Sequence, residues 1–311
     1  MSIAFTFPGQ GSQSVGMGRD LAEAFPEARA VFDEVDDALG EKLSALMWDG
    51  PEEELTLTAN AQPALMAVSL AALRALEAGG LALPEKVAFV AGHSLGEYSA
   101  LAAAGALSVA DTARLLRVRG NAMQEAVPVG EGAMAAIIGL DEADVEAVCT
   151  ECAQDGVCQI ANDNGGGQLV ISGSRANVER AAGLAGEKGS RRALLLPVSA
   201  PFHSELMQPA ADIMRQALET VDFKTPVAPL VANVLAGPVT DPSEIKALLV
   251  KQVTGRVRWR ETISWFAANG VTEVCELGAG KVLTGLARRI DRSIAAKAIN
   301  TPQDIETYLQ G

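Results

Sequence analysis

The stretch Ala91-Gly92-His93-Ser94-Leu95-Gly96-Glu97 contains a G-x-S-x-G pattern and lies between two segments of different texture. Upstream, residues 86–91 are short, apolar after Lys86 and partly β-branched, as a buried parallel strand should be. Downstream, residues 95–104 are rich in Ala and Leu, as a helix should be. Strand, sharp turn and helix in that order carry Ser94 to an exposed tip. Gly92 and Gly96 flank it because strand and helix pass so close that a Cβ at either position would clash. At the start of the helix the Leu95 N–H and the helix dipole point at any oxyanion formed beside the serine oxygen. Ser94 is the expected nucleophile.

Working outward, the chain has 311 residues, enough for one large domain or two smaller ones. Hydrophobic residues make up 49% but aromatics only 4%, and a core of Ala, Leu and Val favours helices packed on a parallel sheet. The net charge of −14 argues against nucleic acid or an anionic membrane as partner. No apolar run reaches membrane-spanning length, and Met1-Ser2-Ile3-Ala4-Phe5 has no basic segment before its apolar stretch, so a cytoplasmic protein is expected. Cys149 and Cys152 form a C-x-x-C pair inside a helical pattern, with no second pair and no histidine nearby. Together with Cys158 and Cys275 they are expected to be free thiols, not a metal site.

Along the chain, residues 3–7 read as a first strand that breaks at Pro8-Gly9-Gln10-Gly11-Ser12-Gln13, a shaped loop. Helices follow over 18–24 and 27–39, then a polar linker through 51–54, then a long helix over 62–78 stopped by Gly79-Gly80. Ser108 and Asp111 have capping-box spacing, and the helix they start, to about 126, carries Arg114, Arg117 and Arg119. Periodicity does not select one of the three. Between 130 and 197 the order is strand 133–140, helix 141–154, strands 157–161 and 168–172 joined by Asn164-Gly165-Gly166-Gly167, helix 175–188 and strand 192–198. That is β-α-β-β-α-β, a ferredoxin-like unit inserted into a larger α/β-hydrolase-like one made of 1–129 and 198–311. The larger unit continues with a helix to about 221, a strand at 229–232, helices at 242–252 and 259–269, a strand at 271–277, a helix to 290 and a last strand at 293–299.

A serine needs a general base, and the chain has two histidines. His93 adjoins Ser94, so the elbow turns its ring away from the serine oxygen and toward the wall of the acyl pocket. His203, in the Pro-bent loop where the larger unit resumes, is left as the base. No acidic residue can be singled out from the residues alone as a third member of the set.

Pro8-Gly9-Gln10-Gly11-Ser12-Gln13, Gly92-His93-Ser94-Leu95-Gly96-Glu97, Arg119-Gly120 with Met123-Gln124, and the loop around His203 occur in that order. In this the chain resembles, over essentially its full length, the malonyl-CoA:acyl carrier protein transacylase family of type II fatty acid synthesis. Asn233, Gln252, Trp259 and Gly278-x-Gly280-Lys281-Val282-Leu283 fit the same pattern. The resemblance implies Ser94 as nucleophile, His203 as base, the N–H groups of Gln10 and Leu95 as oxyanion hole, Arg119 as partner of the malonyl carboxylate with Met123 nearby, and the Gln252 carbonyl as the group orienting the histidine. Phe202, before the base, stands where other members differ and bears on acyl selectivity. The resemblance further implies a ping-pong transfer from a coenzyme A thioester to acyl carrier protein without metal or bound cofactor, by a monomer. The carrier, acidic in this family, is expected to dock on basic residues drawn from Lys188, Arg191, Arg192, Lys281, Arg288, Arg289 and Arg292. A discrete trans-acting acyltransferase of polyketide synthesis is the alternative. An esterase with this elbow fits less well, because more than a hundred residues follow His203.

Overall fold

The computed structural model describes residues 2–198 and 200–310. Strands β1 (Ile3–Phe7) and β2 (Val87–Gly92) lie side by side and parallel, with Phe7 opposite Gly92. β3 (Gly132–Ile138), β4 (Cys158–Asp163), β5 (Gln168–Ser174) and β6 (Arg192–Leu195) form a separate antiparallel sheet in the order β4-β5-β3-β6. β7 (Leu230–Ala232), β8 (Gly237–Val239), β9 (Glu273–Leu277) and β10 (Ala295–Ile299) complete the first sheet, whose order is β10-β9-β1-β2-β7-β8. Every pairing in it is parallel except β7 with β8. The fold is α/β, with a mostly parallel sheet and a ferredoxin-like second sheet.

The two-residue period of the strands divides the core. Phe5 and Phe7 on one face of β1, with Val90 of β2, join the large cluster of Leu65, Leu70, Leu101 and Leu116. Ala4 and Ala91 face the other way, into a cluster with Val231, Trp259 and Phe266. The elbow helix Gly96–Ala103 is buried along its whole length, which explains its small residues. The antiparallel sheet has its own core around Ile137, Val145, Ile171 and Val178. Cys149, Cys152 and Cys158 lie in that core, and all four cysteines are unbridged.

The chain order places both functional loops together. β1 has β2 on one side and β9 on the other, so the connection reverses direction at β1, and ligands in open α/β sheets bind beyond the strand ends at such a point. The Pro8–Gln13 loop leaves β1 there, and the elbow leaves β2 beside it, tied by His93 N–H to Phe7 O at 3.0 Å.

Several elements depart from the sequence expectation. The long helix begins at Thr58, not at 62, with Pro63 inside it. A proline this near the start removes a single hydrogen bond. Residues Glu52–Thr56, expected as linker, form a short helix whose acidic first turn complements the helix dipole. Helices Leu43–Asp49, Leu83–Lys86 and Pro302–Leu309 and strand β8 were not anticipated, although Thr301 and Asp304 form a reciprocal capping box at the last helix. Among the described residues, no helix is long and apolar enough to cross a membrane.

Candidate active site

Ser94 has φ of 53°, in the left-handed region, where a non-glycine residue is strained by roughly 1–3 kcal/mol. Its flanks explain how the turn closes. A Cβ on Gly92 would stand 1.9 Å from the Gly96 carbonyl carbon, and one on Gly96 would stand 2.2 Å from Phe7 O. Two side chains hold the strained turn. Asn233, just beyond β7, accepts from Ser94 N–H at 2.8 Å and donates to Gly92 O at 2.6 Å. Gln252, on the helix Pro242–Thr254, donates through Nε2 to Ser94 O at 2.8 Å.

His203 also has a left-handed φ, 57°, in a loop closed by Ser204 Oγ donating to Pro201 O at 2.7 Å. Its Nε2 lies 2.8 Å from Ser94 Oγ. Its Nδ1 lies 2.8 Å from Gln252 O and 3.1 Å from Gly255 O. Both are carbonyl oxygens and only accept, so the neutral ring carries its proton on Nδ1 and turns the Nε2 lone pair to the serine. No carboxylate touches the imidazole among the described residues, and backbone carbonyls do the orienting. Burial above all, then the Arg119 charge, lowers the His203 pKa to about 3, so the imidazole stands neutral at rest.

Arg119 is separated from its neighbours on the helix Val109–Glu125 by burial. It is 1% exposed, whereas Arg114 pairs with Asp111 at the surface and Arg117 pairs with Glu41. Gly120 makes this possible, because a Cβ there would come within 2.6 Å of Ala59 Cα where the two helices cross. The Arg119 guanidinium donates to Gln62 Oε1 at 2.7 Å, Gln252 Oε1 at 2.9 Å and Ser94 Oγ at 3.1 Å. All three acceptors are neutral. Burial lowers the Arg119 pKa, against opposing effects of Tyr98, whose ring it overlies, and of Glu97.

These groups open on a cleft of ≈ 340 Å³ lined by Gln10, Leu95, His93, Met123, Phe202 and Leu196, among others. The structure therefore brings the residues named for the nucleophile, base, oxyanion hole and acyl pocket to one place, Gln252 directly behind it, and leaves the seven basic residues named for carrier docking outside the cleft. Neither the Gln10 nor the Leu95 N–H donates to another group among the described residues, which leaves both available to an oxyanion. His93 faces away from Ser94 Oγ as expected. Its Nε2 donates to Asn164 Oδ1 at 2.9 Å and its ring packs on Trp259. Four contributors escaped residue-level reasoning: Gln62, Asn164, the Asn233 side chain and the Glu97 carboxylate. The Asn164 loop read only as a strand connection, and nothing local marks it as part of a wall 71 residues from His93. A wider surface groove of ≈ 830 Å³ runs between Gly79–Leu81 and Thr307–Leu309, with neither histidine in it, so size does not select the site.

The geometry is that of an acyl-transferring serine with an arginine at the same oxygen, and comparison with known proteins agrees. Residues 4–297 match the acyl transferase domain family. The chain is 48% identical over 309 residues to the malonyl CoA-acyl carrier protein transacylase of Bacillus subtilis, covering 99% of this chain and 96% of that one. The chain belongs to the malonyl CoA-acyl carrier protein transacylase family. Among solved members, the acyl-carrier-protein-S-malonyltransferase of Bartonella henselae superposes with a TM-score of 0.98 at 64% identity, over 100% of this chain and 99% of the other. A malonyl-transacylase solved in complex with a type II polyketide acyl-carrier protein superposes with a TM-score of 0.96 at 44% identity, over 100% and 99%.

Proposed function

We infer that the chain moves a malonyl group from malonyl-CoA to the phosphopantetheine thiol of an acyl carrier protein, through a malonyl ester on Ser94, for fatty acid synthesis. The observation that carries this reading is the buried Arg119 guanidinium donating to the oxygen that accepts from no other cation, Ser94 Oγ. A dicarboxylic acyl group bound as an ester there would extend its free carboxylate to the same guanidinium, whose planar fork suits it.

In the first half-reaction Ser94 Oγ attacks the thioester carbonyl while its proton passes to His203 Nε2. The Gln10 and Leu95 N–H groups receive the oxyanion, each such donor being worth about 3–4 kcal/mol. Collapse breaks the carbon–sulfur bond, and His203 returns the proton to the departing sulfur. The carrier thiol then repeats the steps in reverse. Arg119 depresses the basicity of His203 while no carboxylate sits directly on it. A malonyl carboxylate seated on Arg119 cancels that effect, so the acidic substrate improves the base that acts on it.

The carrier would meet the exposed basic residues Arg191, Arg192, Lys281, Arg288, Arg289 and Arg292, whereas Lys188 lies 4.0 Å from Glu151 and is partly neutralised. A role with a polyketide carrier is the second reading, favoured by the likeness to the polyketide-associated transacylase. Intact-protein mass spectrometry after mixing with malonyl-CoA tests the proposal. A malonyl adduct on Ser94 that holo-carrier discharges faster than water supports it; an adduct lost to water at an equal rate means a hydrolase.

A further inference from the structure

The mechanism above makes no use of Glu97, yet this carboxyl is 0% exposed and one residue into the helix that starts behind the nucleophile. Its Oε2 accepts from Asn233 N–H at 3.0 Å and from Gln252 Nε2 at 3.0 Å, while Oε1 has no partner among the described residues. The other end of the same Gln252 amide accepts from Arg119. Guanidinium, amide and carboxylate thus form one chain of hydrogen bonds, and every remaining partner of either charge is neutral. A buried cation and a buried anion face each other through a single side-chain amide.

Such an arrangement balances while the cleft holds no acidic acyl group. A second carboxylate placed on Arg119 would set two buried anions against one cation, and at the effective permittivity of a protein interior that is strongly unfavourable. Protonating the inner carboxylate restores neutrality. We propose that Glu97 balances Arg119 in the resting enzyme and takes up a proton when the malonyl carboxylate seats on that arginine. This rests on the malonyl-transfer reading above.

The surroundings favour the exchange. β1, β2 and β7, packed on the elbow helix, carry no titratable group. The helix Thr58–Ala78 contributes only Arg74 and Glu77, which pair with each other. The helix Val109–Glu125 presents Arg119, and its Asp111, Arg114, Arg117 and Glu125 lie toward the surface. Gln252 belongs to a helix whose Glu244 and Lys251 are exposed and whose Lys246 donates to Val221 O. Tyr98, His93 and His203 complete the set, with burial holding both imidazoles neutral and the phenol protonated. Burial raises the Glu97 carboxyl to about 7, against the hydrogen bonds of Asn233 and Gln252 and the charge of Arg119. An added anion tips a group so poised toward its neutral form. The proton comes from solvent, because the Ser94 proton leaves with the coenzyme A thiol and nothing else in the step gains or loses one.

The test mixes enzyme and malonyl-CoA at pH 7.5 in a weakly buffered solution containing an indicator dye, with acylation counted by intact mass. Uptake of roughly 0.5–0.8 proton per malonyl-enzyme is expected, and close to none per acetyl-enzyme from acetyl-CoA. Glu97→Gln keeps an acceptor for Asn233 and Gln252 but cannot titrate, so its malonylation should take up close to none. The ratio of kcat/KM for malonyl-CoA over acetyl-CoA should also fall by up to about tenfold per pH unit above pH 7 in the wild type and stay flat in Glu97→Gln. Equal uptake with acetyl-CoA, or full malonylation without uptake, overturns the proposal in the wild type alone, whether or not the variant folds. Uptake retained in a folded Glu97→Gln enzyme overturns it too. Absence of any malonyl adduct would be seen by mass and would overturn the transfer reading along with this one.

Discussion

Gln252 holds His203 through its backbone carbonyl at 2.8 Å and, through its side chain, reaches Arg119, Ser94 O and Glu97. One residue therefore fixes the imidazole by an atom that no substitution removes and the buried guanidinium by an atom that any truncation removes.

Gln252→Ala should accordingly leave the imidazole oriented but release the guanidinium and the elbow carbonyl. Malonyl transfer is expected to fall about 10- to 100-fold, the scale of one or two lost hydrogen bonds to a charged group, with a smaller fall for acetyl transfer. Comparing kcat/KM for the two acyl-CoAs checks this. Equal losses would mean that the side chain serves only the elbow.

Ser94→Ala should abolish the acyl-enzyme and His203→Ala should come close, and the double variant should be scarcely worse than either, because the 2.8 Å pair acts as a unit. Single-turnover acylation measures all three. Near-normal acylation in His203→Ala would remove this histidine as the base.

Arg119→Ala takes away the only guanidinium lining the cleft among the described residues. Stranding one member of a buried charge pair costs roughly 2–5 kcal/mol, so malonyl transfer should drop about 30- to 4000-fold. Acetyl carries no carboxylate, and its transfer should hold or rise, inverting the preference. A parallel fall for both substrates would assign Arg119 to the fold instead.

Phe202 lines the cleft directly before the base and is itself buried. A ring there competes with a methyl on the acyl α-carbon, and Phe202→Ser should raise methylmalonyl relative to malonyl transfer by the equivalent of about 1–3 kcal/mol. An unchanged ratio would place the ring outside the acyl path.

The depressed pKa of His203 also predicts how stability varies with acid. Its folded value is about 3, and an unfolded histidine titrates near 6.5. Below 6.5 the unfolded chain binds a proton that the folded one refuses, so stability falls as pH drops toward 3, by about 1.4 kcal/mol per pH unit from this group. Glu97 has the opposite sign: its raised pKa, about 7, favours the folded state at low pH and loses that contribution as pH rises through 7. Thermal melts of wild type and His203→Ala between pH 4 and 6.5 should diverge, with the variant losing less. Parallel curves would show that the histidine is accessible to protons when folded.

Much of this was legible in the sequence because it is local. The elbow announces itself through Gly92 and Gly96, and both histidines could be assigned by scarcity and chain geometry. The ferredoxin-like order follows from alternating periods between 133 and 198. What stayed hidden is contact between distant segments. Arg119 could be told from Arg114 and Arg117 only by family likeness, since the distinction lies in Gly120 meeting Ala59 across a helix crossing. Asn164 reaches His93 from another sheet, and Gln62 meets Arg119 from a different helix, 57 residues away in the chain. The short helix at Glu52–Thr56 was hidden by composition, since a run of acidic residues reads equally as linker or as a first turn.

The antiparallel sheet, which lines one bank of the cleft through Met134 and Asn162, is tied directly to the segment that follows Gln252. Val257 donates to Ala161 O at 2.8 Å and accepts from Asp163 N–H at 2.9 Å, while Arg256 and Arg260 each bind Glu142 from the opposite bank, Arg260 also taking Asp163. These links fasten the bank that carries Asn162 to the stretch of chain that follows Gln252. On the transfer reading proposed above, the carrier's thiol has to enter this cleft of ≈ 340 Å³ on a limb thinner than the carrier itself, so the length of that limb sets how closely the two proteins approach.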